Sequence, residues 1–129
     1  MYKILFAHND PSYLGIISTY LAWYGFSVEK AGSSADMFKK MGEERYDMLI
    51  VDTALRSAGG FAMARIIREG SGPAKRGIPI LLVGMEEPDF ERYELMEKNK
   101  VYFITAYRRS SIWVDKINSI LSNKERGAE

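Results

Sequence analysis

Five short apolar runs, each followed by a segment with helical signals, constrain this chain more than any other feature. The runs are Lys3–Ala7, Phe26–Ala31, Met48–Val51, Ile78–Val83 and Val101–Thr105. Three hold continuous stretches (Ile4-Leu5-Phe6, Met48-Leu49-Ile50-Val51 and Ile80-Leu81-Leu82-Val83) rather than alternating ones. A strand with one face in water alternates apolar and polar residues. A continuous run suits a strand covered on both faces, as in a parallel sheet between two helix layers. The first intervening helix opens at Asp10-Pro11-Ser12 and runs towards Tyr24, with an Asp cap, a proline in its first turn and Gly25 as its stop. The others run from Ser33/Ser34 to about Gly42, from about Gly60 to Arg68, over Pro88–Lys98, and over Ser111–Asn123 behind a serine cap. This strict alternation predicts a doubly wound α/β fold, a five-stranded parallel sheet with five helices.

The 129 residues suit one core. Residues 1–123 read as a single domain and 124–129 as a polar tail that frays. Gly70-Ser71-Gly72-Pro73 reads as a mobile connector into Ile78-Pro79, and no repeat, linker or second domain is visible. The absence of cysteine rules out a disulfide framework, a thiolate metal site and a Cys nucleophile. A single histidine, His8, rules out multi-His zinc chemistry. Eighteen basic residues against seventeen acidic ones leave a net charge of +1, so no basic face for nucleic acid is expected. The stretch from Pro11 to Val28 carries no charge over eighteen residues, but two glycines, a proline, three serines and a threonine make it a capped helix rather than a membrane span. With no signal peptide legible in Met1–Ala7, a cytoplasmic protein is expected.

In open α/β sheets, sites form beyond the carboxyl ends of the strands. The residues there are His8-Asn9-Asp10, Asp52, Gly84 and Ala106. Other landmarks are Pro11, then Gly25-Phe26-Ser27-Val28 with Ala31, then Tyr46-Asp47-Met48-Leu49-Ile50-Val51-Asp52. Gly60 stands eight residues beyond Asp52, and Ile78-Pro79-Ile80-Leu81 and Phe103-Ile104-Thr105 follow. In this order and spacing the chain resembles the receiver domain of two-component response regulators over residues 3–121. The resemblance implies a (βα)₅ flavodoxin-like fold with Asp52 at the phosphoacceptor position.

The resemblance fails at most of the chemistry. Where the family places two acidic residues that bind Mg²⁺ with the phosphoacceptor, this chain has His8 and Asn9, and Asp10 falls at the variable third place. Gly84 stands at the switch hydroxyl, Ala106 at the phosphoryl-pairing Lys, Tyr107 at the Pro that follows, and Leu55-Arg56 at the Met-Pro pair; Phe103 fills the aromatic switch position. A degenerate, or pseudo-, receiver is expected. It would not be an enzyme in its own right and would need no cofactor, with Mg²⁺ only a weak alternative at Asn9, Asp52 and Ala54. His8 is expected to stand as an internal cation where the family keeps a metal. Lys100 precedes the last strand, at the wrong end of the sheet, to replace the missing Lys; Arg56, Arg108 and Arg109 lie at the correct end. No Gly-x-Ser-x-Gly elbow supports a hydrolase, and Gly59-Gly60 and Gly70-x-Gly72 lack a phosphate-cradling pattern.

Signalling by protein–protein contact follows from this reading, with phosphorylation of Asp52 weak or absent. The alternative is a receiver that accepts phosphate on Asp52 from a histidine kinase. The resemblance points to the face made by the fourth helix, fifth strand and fifth helix, for a protein partner or a homodimer, with Leu95, Tyr107 and Ile112 expected on it. At 100° per residue the last helix buries Trp113, Val114, Ile117, Ile120 and Leu121, and Ile112 points away. The first helix buries Leu14, Ile17 and Leu21, and carries a second stripe, Ile16–Tyr20–Trp23, as the competing docking surface. No output segment is legible in these residues.

Overall fold

The computed structural model describes residues 1–70 and 76–127. The elements alternate from end to end: β1 (Lys3–Ala7), α1 (Pro11–Trp23), β2 (Ser27–Ala31), α2 (Ser34–Glu43), β3 (Met48–Asp52), α3 (Gly60–Arg68), β4 (Ile80–Gly84), α4 (Phe90–Asn99), β5 (Val101–Thr105) and α5 (Ser110–Gly127). Every expected strand and helix is present. Their ends move by a few residues; Phe26, Ile78 and Pro79 fall outside the strands, and α5 runs on to Gly127. The Ser71-Gly72-Pro73 part of the expected connector lies outside the described residues.

All strands are parallel, in the order β2-β1-β3-β4-β5. Period-two alternation splits the central strands between two cores. Ile4, Phe6, Met48, Ile50, Leu81 and Val83 pack under α1 and α5, while Leu5, Ala7, Leu49, Val51, Ile80 and Leu82 pack under α2, α3 and α4. Both faces of β3 and β4 are therefore buried along their whole length. This is why those runs are continuous. The α1–α5 side centres on Trp113, which is fully buried and stacks on Phe6 at 5.7 Å between ring centroids. The five residues expected on the inner arc of α5 and the three on α1 are all buried.

Local signals set the helix ends. Asp10 caps α1, its Oδ1 accepting the backbone N–H of Ser12 at 2.9 Å and of Tyr13 at 3.3 Å. Gly25 takes a φ of 94°, a left-handed conformation open to glycine at no steric cost, and so turns the chain from α1 into β2. Ser33 and Asp89 cap α2 and α4 in the same way as Asp10 caps α1. Among the described residues no helix is long and apolar enough to cross a membrane.

Candidate functional site

The strand order reverses between β1 and β3, so the carboxyl ends of these two strands flank the crevice where doubly wound sheets carry their sites. Asp52 ends β3 there, and His8 and Asn9 follow β1. Asp52 is 7% exposed. Its Oδ1 accepts the Ala54 backbone N–H at 3.0 Å, and its Oδ2 faces Asn9 Nδ2 at 3.5 Å and His8 Nε2 at 3.6 Å. Asn9 does more than touch Asp52. Its amide donates to the Ala54 carbonyl at 2.5 Å, and its Oδ1 accepts the Arg56 backbone N–H at 2.8 Å. One side chain thus fastens the β3–α3 loop to the end of β1.

His8 Nδ1 accepts the Asp10 backbone N–H at 3.0 Å, and its ring lies 4.5 Å from that of Tyr13. The ring thus stands between the Asp10 backbone and the Asp52 carboxylate, at the place expected for the internal cation.

The donor set does not fit Mg²⁺. That ion asks for near-octahedral oxygen ligands, usually from carboxylates, carbonyls and water. Two oxygens that would serve, Asp52 Oδ2 and the Ala54 carbonyl, both face the amide nitrogen of Asn9. The Asp10 carboxylate is turned away to cap α1. Among the described residues no cluster of three His, Cys, Asp or Glu side chains is arranged to hold a metal. Asn9, Asp52 and Ala54 are brought together, but by an amide donor rather than around a cation.

The opposite corner, at the ends of β4 and β5, is built by packing. A Cβ added to Gly84 would lie 2.8 Å from Thr53 Oγ1 and 3.2 Å from Phe103 Cε2, so Thr53 and the inward-lying ring occupy the space a side chain at 84 would need. Ala106 contributes its backbone: its N–H donates to the Gly84 carbonyl at 2.9 Å, and its carbonyl accepts the Tyr13 hydroxyl at 2.9 Å. Burial, and then the charge of Asp52, pushes the Tyr13 phenol up to about 12.

Among the described residues no Lys or Arg lies within ion-pair distance of Asp52. Arg56 uses its backbone N–H on Asn9 and its carbonyl on Ser34, and its side chain stays exposed. Arg108 lines a groove beside β5, and Arg109 is exposed where α5 begins. Lys100 caps α4 at the far end of the sheet, where the half-buried Arg68 guanidinium binds its carbonyl and those of Arg76, Ile78 and Asn99.

Sequence reading missed Tyr13 and Thr53. Tyr13 had a usable signal, an aromatic in the first turn of the helix that follows the crevice. Thr53 had none, since its contact with Gly84 comes from the neighbouring strand. Leu95 and Ile112 are both exposed, but they line different grooves. Ile112 lies with Tyr93, Met96 and Tyr102 along β5, in a groove of about 680 Å³. Leu95 lies with Phe61, Arg65 and Arg92 between α3 and α4. The α4 axis separates the two because Tyr93 and Leu95 project about 160° apart, while Met96 borders both. Tyr107 stands exposed beyond the end of β5. Phe90 and Tyr93, on the same side of α4 as buried Met96, remain exposed.

Known proteins share this architecture. A CheY-like receiver domain protein from Methanospirillum hungatei JF-1 superposes with a TM-score of 0.85 at 17% identity, covering 98% of each chain. Chemotaxis protein CheY4 of Vibrio cholerae superposes with a TM-score of 0.81 at 20% identity, covering 93% of this chain and 98% of its own. These likenesses bear out the expected fold. An uncharacterized transcriptional regulatory protein of Bacillus subtilis (strain 168), YvcP, is 25% identical over 121 residues, which is 94% of this chain and 49% of that protein. The chain thus spans about half the length of that relative. The family model for the response regulator receiver domain matches residues 4–109, the span that carries the crevice, both corners and all five strands, and the chain belongs to that family.

Proposed function

We propose that this receiver domain signals through protein–protein contact, with phosphoryl transfer to Asp52 weak or absent. One observation carries the reading: the Asn9 amide stands between Asp52 Oδ2 and the Ala54 carbonyl, an arrangement that satisfies these oxygens without a cation. Phosphoryl transfer depends on positioning and on neutralising the charge of the transferring group. Gly84 supplies no hydroxyl at the end of β4 and Ala106 no ammonium at the end of β5. The groove along β5, with Tyr93, Met96, Tyr102 and Ile112, is the contact surface for a protein partner. Its aromatic and apolar lining, edged by Lys100, Arg108 and Lys116 together with Glu87 and Glu97, goes with a protein of mixed charge rather than with nucleic acid. A cytoplasmic location belongs to the same reading.

A phosphorylatable receiver, served by a histidine kinase, is the second reading. It is favoured by Asp52 itself, which ends β3 at the crevice with the Ala54 N–H on its carboxylate. Incubation with acetyl phosphate and Mg²⁺, followed by intact mass measurement, separates the two. The expected result is an unmodified chain. A phosphorylated species that disappears in Asp52→Asn would overturn the proposal and establish the second reading.

A further inference from the structure

Helix α1 turns Leu14, Ile17 and Leu21 into the core and leaves a second stripe facing outward. Ile16, Tyr20 and Trp23 on that stripe are 57%, 47% and 85% exposed. With Gly15 and Thr19 they line a shallow groove of about 710 Å³, and Lys30 of β2 stands among its lining residues. We infer that this face pairs with a second copy of the chain, helix antiparallel to helix, about a two-fold axis beside Thr19 and Tyr20.

Three observations select a second copy. The helix has no charged residue, within an uncharged stretch that runs from Pro11 to Val28. A two-fold interface sets one patch against itself, so a charged face would meet its own sign, whereas this helix meets no such penalty, Lys30 of β2 being the one charged residue that lines the groove. The stripe is also self-complementary in register. Ile16 and Trp23 lie equally far from its midpoint between Thr19 and Tyr20, so antiparallel pairing brings each Trp23 onto the other copy's Ile16. Beside Ile16 is Gly15, where an added Cβ would find nothing within 4 Å, leaving room for an indole. The Thr19 hydroxyl is turned back onto the Gly15 carbonyl at 2.8 Å, which satisfies the one and occupies the other. Finally, the area suits a weak dimer. Aromatic side chains bury ~150–250 Å² each, so Tyr20 and Trp23, with the exposed part of Ile16 added, offer at most on the order of 500 Å² per copy. Two copies reach about 1,000 Å², the lower limit of specific interfaces. The inference is independent of whether Asp52 is phosphorylated, and it uses a face other than the β5 groove.

Sedimentation of the chain from about 1 µM to about 1 mM spans the affinities expected of so small an interface. The chain should pass from monomer to dimer, and Trp23→Glu and Ile16→Asp should each weaken association at least tenfold while keeping the far-ultraviolet spectrum of the folded protein. Because the chain has no cysteine, single introduced thiols read the geometry directly. A bismaleimide should link Thr19→Cys molecules into dimers and leave Ile112→Cys molecules, whose thiol lies in the β5 groove, as monomers. A monomer throughout the range, a dimer that survives both charge substitutions, or linkage through Ile112→Cys instead of Thr19→Cys would each overturn the inference.

Discussion

At the corner where β1 meets β3, Asn9 and Asp52 are joined to each other and to the following loop by side-chain and backbone hydrogen bonds, with His8 Nε2 3.6 Å from the Asp52 carboxylate; at the corner where β4 meets β5, Gly84, Thr53 and Phe103 meet by packing, and Ala106 lends only its backbone. Tyr13 lies across both, its ring on His8 and its hydroxyl on the Ala106 carbonyl. The difference lies in what holds each corner together. At the first corner polar groups remain, but they satisfy one another. At the second the space beside Gly84 is filled by the Thr53 side chain and the Phe103 ring. Persistence of Asp52 is therefore compatible with a structural role, because its carboxylate holds the loop that begins at Ala54.

The largest effect should come from Asn9. Asn9→Ala removes the amide from two backbone partners and from Asp52, and should cost about 2 kcal/mol, since groups left without a partner lose about 1–3 kcal/mol. Denaturant unfolding measures this. Asn9→Asp sharpens the comparison, because it sets a second carboxylate beside Asp52 and the Ala54 carbonyl. That variant should be destabilised in chelator and recover with millimolar Mg²⁺, while the parent melts at the same temperature in both. A parent protein stabilised by Mg²⁺ would show that its first corner still binds the ion.

An intermediate effect is expected at the second corner. Gly84→Ala places a methyl group 2.8 Å from Thr53 Oγ1, and should cost about 1 kcal/mol as the threonine and Phe103 give way. Thr53→Ala should relieve that cost, so the double variant should be more stable than the sum of the two singles predicts. Additive effects would mean that the two positions do not share a volume.

The smallest effect belongs to the residue that spans both corners. The Tyr13 phenol is held up at about 12, against an ordinary value of 10.0. The folded protein therefore keeps this proton after the unfolded chain has released it. Stability from this source is complete below about pH 10 and is lost as the pH rises towards 12, where the folded phenol ionises. Tyr13→Phe should flatten the alkaline fall in stability between about pH 10 and about pH 12, and partial exposure keeps the change small. Identical pH slopes in parent and variant would remove Tyr13 from the electrostatics of the site.

Much of this was legible in the residues alone. Continuous apolar runs at Met48–Val51 and Ile80–Val83 require strands covered on both faces, and Asp10-Pro11, Ser33 and Gly25 mark helix ends through contacts within a few residues. Helical period alone separated the buried stripes of α1 and α5 from Ile16, Tyr20, Trp23 and Ile112. These features are local or periodic, so neighbouring residues suffice to read them. The replacements at His8, Asn9, Gly84 and Ala106 were equally visible as letters. What fills the resulting spaces was not. Thr53 against Gly84, Tyr13 on the Ala106 carbonyl and Asn9 bridging to Ala54 join residues from different strands and loops, and their distances exist only once the sheet has set its register. The separation of Leu95 from Ile112 is of the same kind. Each points outward on its own helix, but only the placement of α4 between α3 and β5 assigns them to different grooves.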